Sequence, residues 1–281
     1  MMTGTDDRQL DDRMPADDPS RTRPGTPMTG PYSTAQMDDF YAALGAGQVK
    51  TTGVMNLMQH LLVAERCRPG DDLVDVCCGR GLALPLLRRY CPGLGSYTGI
   101  DISDTNLDEA SHGRDCAEFP VVFHQADVAA EWPVTGPFDV AVYTSALEHL
   151  PYERGLASLR RTADALADGG RIFLSTPNTP GPAPRPLQHR VHVYEWSHEE
   201  VVAGLRDAGF DIDRLEVIGL LPPDTPVMRG ALRARYGVGA ALLYDQMLQR
   251  CPSALLDPVI STGLGEAAGE VLYVCPTRST R

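Results

Sequence analysis

From residue 71 onward, short apolar runs alternate with amphipathic segments, the pattern of a parallel sheet covered by helices on both faces. The predicted strands span residues 73–76, 97–100, 121–124, 139–143, 171–175, 212–218 and 271–275. The helices predicted between them span 82–90, 104–116, 152–167 and 198–208, and Gly169-Gly170 is the expected stop of the third. This rhythm predicts an α/β fold with a doubly wound, seven-stranded, mostly parallel sheet.

The segment before the first strand divides into two parts. Residues 1–30 carry acidic pairs and almost no large apolar residues, which predicts a disordered tail. Within 31–68, apolar residues recur at helical spacing and predict two helices separated by Gly45 and Gly47. The apolar positions of these helices are Met37, Phe40, Tyr41 and Leu44 in the first, and Met55, Met58, Leu61 and Leu62 in the second.

A core domain is predicted over 69–281, with an insertion at 219–268 that a minimal sheet does not require. Leu243, Tyr244, Met247 and Leu248 repeat at helical spacing within this insertion. We therefore expect it to be a folded helical cap over the substrate.

Composition narrows the classes of function. The net charge of −12 argues against a broad nucleic-acid footprint, because phosphate binding needs clustered cations. No apolar run resembles a leader or approaches the ~18 residues of a membrane span, and the seven cysteines form no metal-binding pairs, so we expect reduced thiols and a cytoplasmic protein that contacts neither membrane nor nucleic acid. A homodimer is also expected. The single lysine indicates a GC-rich genome, which we associate with secondary metabolism.

The strongest local signal follows the first strand, where Asp75 leads into a turn with Gly79 and Gly81 before a helix. Glycine lets a ligand approach the backbone closely and permits unusual dihedral angles. The next strand ends in Asp101, 20 residues after Gly81, the separation at which a carboxylate holds a ribose diol. These residues predict a nucleotide-type ligand at the carboxyl ends of the strands.

Several motifs in order resemble the Rossmann-like class I S-adenosylmethionine-dependent methyltransferases, particularly the ubiquinone and menaquinone biosynthesis group. The resemblance covers roughly residues 70–218 and the last strand. Its motifs are D-x-C-C-G-x-G at 75–81, G-I-D-I-S at 99–103, Q-A-D at 125–127, L-E-H at 147–149 and A-G-F at 208–210. The chain departs from the family at Cys77, where many relatives carry Gly or Ala, and in the long insertion.

The resemblance implies S-adenosylmethionine as the cofactor and methyl transfer to O, N or C of a small, hydrophobic metabolite. Asp101 would accept hydrogen bonds from the ribose, Asp127 would accept one from the adenine amino group, and Gly79 and Gly81 would line the methionine part. The N-terminal helices at 31–68 would cover the cofactor. The implied cofactor-binding residues are Asp75, Cys77, Gly79, Gly81, Asp101, Ile102, Ala126, Asp127, Val128, Thr144 and Tyr41. The alternatives are that Asp101 and Asp127 only cap helices, and that Tyr41 is a core residue.

The catalytic candidates are His149, Glu148 and Tyr194. A histidine, with an unperturbed pKa of ~6.5, is suited to take a proton from an acceptor hydroxyl. Alternatively, Glu148 favours a helix start and His149 packs there or contacts the substrate. The histidines of the Pro-rich stretch at 179–196 raise a metal-site alternative, but Glu195 is the only carboxylate nearby at ligand spacing, so no metal is expected.

Two other functions compete with methyl transfer. A nicotinamide-dependent oxidoreductase would need Gly or Ala three positions after Gly81, where this chain has Leu84, and a catalytic Tyr-Lys pair that its single lysine does not provide. A non-catalytic binding protein could keep the fold, although the cofactor motifs are intact. Both alternatives are less consistent with the residues.

Overall fold

The computed structural model describes residues 51–112, 118–222 and 225–278. Within these residues, seven strands form one sheet in the order β3-β2-β1-β4-β5-β7-β6. The strands are β1 Asp72–Val76, β2 Ser96–Asp101, β3 Val121–Gln125, β4 Phe138–Thr144, β5 Leu166–Pro177, β6 Glu216–Leu221 and β7 Glu270–Pro276. Only β7 runs antiparallel to its neighbours, which confirms the predicted mostly parallel sheet.

Helices cover both faces of this sheet. Numbered from the first described one, they are α1 Thr51–Arg66, α2 Leu84–Tyr90, α3 Asp104–Ser111, α4 Tyr152–Ala165, α5 His198–Ala208, α6 Thr225–Tyr236, α7 Val238–Leu248 and α8 Ser253–Ser261. Side chains alternate between the faces along each strand, so Leu73 packs beneath α1 and α2 while Val74 packs on the opposite side with α4 and α5. The strands are apolar on both faces for this reason.

The strand order positions the ligand site. The chain moves outward from β1 through β2 to β3, then crosses back so that β4 lies on the other side of β1. Loops leaving β1 and β4 diverge at this reversal and leave a crevice at the carboxyl ends, which is where open α/β sheets bind ligands. The glycine turn after β1 and the L-E-H segment after β4 both lie at that edge.

Several predicted boundaries were wrong, among them the end of the helix predicted over 104–116, which stops at Ser111. The sixth strand begins at Glu216, because residues Ile212–Arg214 form a short 3-10 turn in which Arg214 N–H donates to the Asp211 carbonyl. The helix α2 begins at 84 rather than 82. The helix α4 ends at Ala165, and Gly169 lies in a bulge of β5 with φ +76°, because Leu166 already pairs with Phe138 of β4. Strand pairing outweighed the helix-stop signal there.

The insertion leaves the carboxyl end of β6 and returns to the start of β7, so both of its ends attach at the ligand edge. It contains α6, α7 and α8, and α8 packs on β6 and α1. The contact is close, since a Cβ on Gly219 would overlap the Ser261 carbonyl oxygen. None of the described helices is long and apolar enough to cross a membrane.

Candidate functional site

The turn after β1 has the backbone that the glycine pattern predicted. Cys77, Gly79 and Gly81 all have positive φ, at 57°, 53° and 71°. Among the residues that the structure describes, and apart from the two chain neighbours, no atom lies within 4 Å of the position that a Cβ on Gly79 would take, so these residues leave space where a ligand can touch the backbone. This cradle fits the methionine part of S-adenosylmethionine.

Cys77 occupies a left-handed conformation that favours glycine, and burial raises the pKa of its thiol. We expect Cys77→Gly to be more stable than Cys77→Ala by about 1 kcal/mol, the reverse of the usual order, because only alanine keeps a Cβ at positive φ. Both variants remove the same sulfur, so each controls for the other. Urea unfolding measures the difference in the free energy of unfolding. A more stable alanine variant would contradict backbone strain at position 77.

Asp101, at the end of β2, holds the turn and the next helix together. Its Oδ2 accepts from Gly79 N–H at 2.9 Å and its Oδ1 accepts from Ser103 N–H at 2.8 Å. Ser103, not Asp101, is the N-cap of α3, which removes the simple capping alternative. The adjacent Ile102 is 68% exposed at the same edge, an apolar surface on which an adenine ring can rest.

Asp75 points away from this edge into the face covered by α1 and α2. Its Oδ2 accepts a hydrogen bond from the Tyr97 hydroxyl at 2.7 Å. Burial raises the pKa of Asp75 to about 7, against the opposite effect of the Tyr97 hydrogen bond, and the nearby charge of Asp101 raises it further. Its side chain therefore supports the turn from below, and its predicted cofactor contact has no support in this geometry.

The adenine-side residues follow β3. Ala126 N–H donates to the Asp101 carbonyl at 3.0 Å, which ties the two strand ends together. Asp127 accepts from Ala129 N–H and pairs with Arg154, whose hydrogen bond is the main reason that the pKa of Asp127 is lowered. A carboxylate has lone pairs for a further donor such as an adenine amino group. The Val128 side chain is buried in the core, so only its backbone can reach a ligand.

Helix α1 brings polar side chains to the ends of β4 and β5. His60 Nε2 lies 3.3 Å from Thr144 Oγ1, and the Gln59 side-chain oxygen accepts from Ser175 Oγ at 2.7 Å. Burial lowers the pKa of His60 to about 4, so the imidazole is neutral at neutral pH. Sequence patterns missed both residues, although a Gln-His pair inside an apolar helical segment was a visible signal. Tyr41 lies outside the described residues.

Past β4, the chain places Glu148 and His149 against the Pro-rich loop of residues 178–197. Val193 N–H donates to the Glu148 carbonyl at 2.8 Å, and His149 Nδ1–H donates to the Val191 carbonyl at 3.0 Å. Glu148 is buried and accepts from Thr176 Oγ1 at 3.0 Å, whereas His149 is exposed. The structure thus brings these two candidates and His192 of the loop together.

Tyr194, the third catalytic candidate, is directed elsewhere. Its hydroxyl donates to Glu200 Oε1 at 2.8 Å, and its ring packs against Tyr152 and Trp196 with centroids 5.0 and 5.3 Å away. This geometry gives Tyr194 a structural place at the start of α5 and lends no support to a catalytic one.

Ser145 and Glu270 are two further polar residues at this edge that the sequence patterns did not identify. Ser145 has φ +49° and its N–H donates to Ser175 Oγ at 3.0 Å. The Ser145 hydroxyl also reaches Glu270 Oε1 at 3.5 Å. Glu270 is fully buried, and burial holds its pKa well above the usual range. An acidic residue at the start of a strand carries no sequence signal of such burial.

Comparisons with known proteins agree with these features. The profile of a family described as Methyltransferase domain matches residues 55–215. The nocamycin O-methyltransferase of Saccharothrix syringae is 30% identical over 226 residues, which cover 74% of this chain and 75% of that protein. The ubiquinone biosynthesis O-methyltransferase of Xanthomonas campestris is 34% identical over 138 residues, which are 47% of this chain and only 54% of that relative.

Solved structures share the fold. An S-adenosylmethionine-dependent methyltransferase from Mesorhizobium loti superposes with a TM-score of 0.51 at 18% identity, over 77% of this chain and 95% of that one. One from Methanosarcina mazei gives 0.51 at 14% identity, over 78% and 97%. At these identities the likeness concerns the fold alone.

Proposed function

Because the chain belongs to the methyltransferase-domain family, we propose that it transfers a methyl group to a hydroxyl oxygen of an apolar secondary metabolite. Its class is that of S-adenosylmethionine-dependent enzymes acting on small molecules, as the resemblance implied. The oxidoreductase and binding-protein alternatives are not favoured. The observation that carries the proposal is the open glycine cradle beside the preorganised Asp101 carboxylate.

The cofactor would be held at the carboxyl ends of β1, β2, β3 and β4. Gly79 and Gly81 would line its methionine part, Asp101 would accept from its ribose hydroxyls, and Ile102 and Asp127 would border its adenine. Thr144 and Cys77 would complete the floor of the crevice. When bound, S-adenosylmethionine supplies a methyl group activated by positive sulfur, so the chain's own residues mainly align the acceptor.

Oxygen is the acceptor atom that the relatives support. The printed names of the Saccharothrix and Xanthomonas proteins are both O-methyltransferases, and the first aligns over three quarters of its length. The first name also refers to nocamycin, which supports a role in secondary metabolism for this chain.

An apolar rim beside His149 supports an apolar acceptor. Val191 and Val193 are each about half exposed on the Pro-rich loop, the Val191 carbonyl accepts from His149 Nδ1–H, and Val193 N–H donates to the Glu148 carbonyl. Exposed apolar side chains grouped beside a reactive group are typical of a ligand surface. We propose that they contact the acceptor's carbon skeleton.

His149 would face the acceptor hydroxyl. With its Nδ1 proton donated to Val191, the lone pair of Nε2 is free to contact that hydroxyl. The proton-accepting role expected from the sequence stays a prediction.

We propose that the insertion at 219–268 covers the acceptor. Its two ends lie at the carboxyl edge and α8 packs on β6 and α1. Leu242 and Leu243 on α7 are exposed and would suit the expected homodimer. The dimer and the cytoplasmic location stay predictions.

Matched acceptors test the reaction. We expect purified protein with S-adenosylmethionine to methylate apolar phenols or enols and to leave the corresponding amines unchanged, with the product identified by mass spectrometry. Formation of S-adenosylhomocysteine only with the amine members would contradict oxygen as the acceptor.

Charge on the apolar rim tests the acceptor's character. We expect Val191→Asp to raise KM for the acceptor about tenfold while kcat changes little, because the lost contact binds ground state and transition state alike. Val122→Asp, an exposed valine on β3 away from the rim, is the matched control and keeps the original KM. Equal effects of the two substitutions would remove the rim from the proposal.

A further inference from the structure

Three ligand-type side chains meet at the end of β4. Single donor atoms of Glu148, His149 and His192 all lie within 4.8 Å of one another. The first two are adjacent in sequence, and the third comes from the Pro-rich loop that hydrogen-bonds back onto Glu148. The imidazole rings of the two histidines meet edge to face with centroids 5.3 Å apart.

Each histidine is oriented by a partner on its other nitrogen. His149 Nδ1–H donates to the Val191 carbonyl at 3.0 Å, and His192 Nδ1–H donates to Glu195 Oε1 at 2.7 Å. Both Nε2 atoms are therefore left as acceptors with lone pairs. A carbonyl or carboxylate behind the imidazole is the usual arrangement for a metal-binding histidine, because it fixes the tautomer and the ring orientation.

The surroundings are rich in buried carboxylates. Glu148, Glu195 and Glu270 are each less than a tenth exposed. Among residues 51–112, 118–222 and 225–278, no arginine forms an ion pair with any of the three. Buried carboxylates are costly unless a cation or proton balances them. Glu270 is kept protonated by its raised pKa, so Glu148 and Glu195 are the buried carboxylates that a bound cation would stabilise.

We propose that Glu148, His149 and His192 bind one Zn²⁺ ion beside the methyl acceptor, an inference that deepens the proposed function and rests on it for the ion's role. Two histidines and a glutamate form a known catalytic zinc set that keeps a fourth position open. His149 is on the exposed side of the cluster, so the open position faces outward. Mg²⁺ prefers an all-oxygen set and fits these donors poorly.

The acceptor's hydroxyl oxygen would take the open position. Bound Zn²⁺ lowers the pKa of a coordinated hydroxyl, whose proton leaves to solvent. The oxygen lone pair then forms the new O–C bond, while the C–S bond breaks and its electron pair returns to sulfur, giving neutral S-adenosylhomocysteine. With the ion bound, the His149 Nε2 lone pair coordinates zinc, so this arrangement replaces both the direct contact with the hydroxyl proposed above and the proton-accepting role expected from the sequence.

Metal binding is measured on chelator-treated full-length protein by isothermal titration with Zn²⁺ alone, in parallel with Mg²⁺, and by visible absorption with Co²⁺. We expect one saturable Zn²⁺ per chain, a tetrahedral Co²⁺ spectrum and much weaker Mg²⁺ binding. His149→Ala and His192→Ala should each weaken Zn²⁺ binding at least about 100-fold, and Glu195→Gln about tenfold through the orientation of His192.

His189→Ala is the matched control, since His189 lies in the same loop and its ring stands 5.5 Å from His192 but outside the donor set. It should keep the original Zn²⁺ affinity. The proposal is overturned if the unsubstituted protein shows no saturable Zn²⁺ binding, if His149→Ala and His192→Ala bind as well as it does, or if His189→Ala is as impaired as they are.

Failure of the zinc site is distinguishable from failure of the proposed function. S-adenosylhomocysteine binding is measured separately, and we expect it to be unchanged in His192→Ala. Zinc bound as expected in a protein that methylates no hydroxyl would refute only the proposed function. Methylation that persists unchanged after chelation, with no zinc bound, would refute only the metal site.

Discussion

Asp101→Asn is expected to weaken S-adenosylhomocysteine binding about 100-fold. The carboxylate is held by the N–H groups of Gly79 and Ser103, and it would present its remaining lone pairs to the ribose diol. Hydrogen bonds to a charged group contribute about 1.5–3 kcal/mol each, and a loss of about 2.7 kcal/mol corresponds to 100-fold. Isothermal titration of the unliganded variant measures the change.

Asp104→Asn is the matched control, because Asp104 starts α3 three residues later, is exposed, and accepts hydrogen bonds from the N–H and hydroxyl of Thr105. It should bind S-adenosylhomocysteine within about twofold of the unsubstituted protein, since a solvent-exposed acid makes little net contribution. The melting temperature of unliganded Asp101→Asn distinguishes two causes of weaker binding. A loosened glycine turn would lower it, whereas the loss of ligand contacts alone would leave it unchanged. Unchanged affinity in Asp101→Asn would remove the ribose role.

His60→Gln is expected to change how stability depends on pH. The His60 imidazole is buried and its pKa is lowered to about 4 from 6.5. Between those values the unfolded chain binds a proton that the folded protein excludes, so the native protein loses stability as pH falls. The loss amounts to about 2 kcal/mol between about pH 7 and about pH 5, and the glutamine variant should lack it.

Asp75→Asn is expected to change the pH dependence of the free energy of unfolding in the direction opposite to His60→Gln. The pKa of Asp75 is raised to about 7 from 3.8, so its protonated form stabilises the fold at low pH and that contribution is lost as pH rises through 7. Over about pH 5 to about pH 7 the loss is again about 2 kcal/mol, which offsets the gain from His60. Urea unfolding at several pH values measures both variants. If both substitutions changed the pH dependence of the free energy of unfolding in the same direction, the pKa shifts of His60 and Asp75 would not be its cause.

Much of the fold was predictable because periodicity and turn chemistry are local properties. The apolar runs around Val74, Tyr97 and Ala141 read as buried strands, and the turn at Gly79 marked the ligand edge. The boundary at Gly169 was not predictable, since the pairing of Leu166 with Phe138 depends on a strand that lies elsewhere in the sequence. At such points, pairing with a strand distant in sequence determines the secondary structure more strongly than the local residue pattern does.

The sequence by itself determined the α/β class, the carboxyl ends of the strands as the ligand edge, and Asp101 as the acid at the end of the second strand, because each follows from spacing along one stretch of chain. Only the tertiary structure decided which side chains meet across stretches. It moved Glu195 from candidate ligand to the partner behind His192, and it set Glu148 beside both histidines. Convergence of distant segments depends on packing and hydrogen bonding across the whole sheet, and no local pattern contains that information.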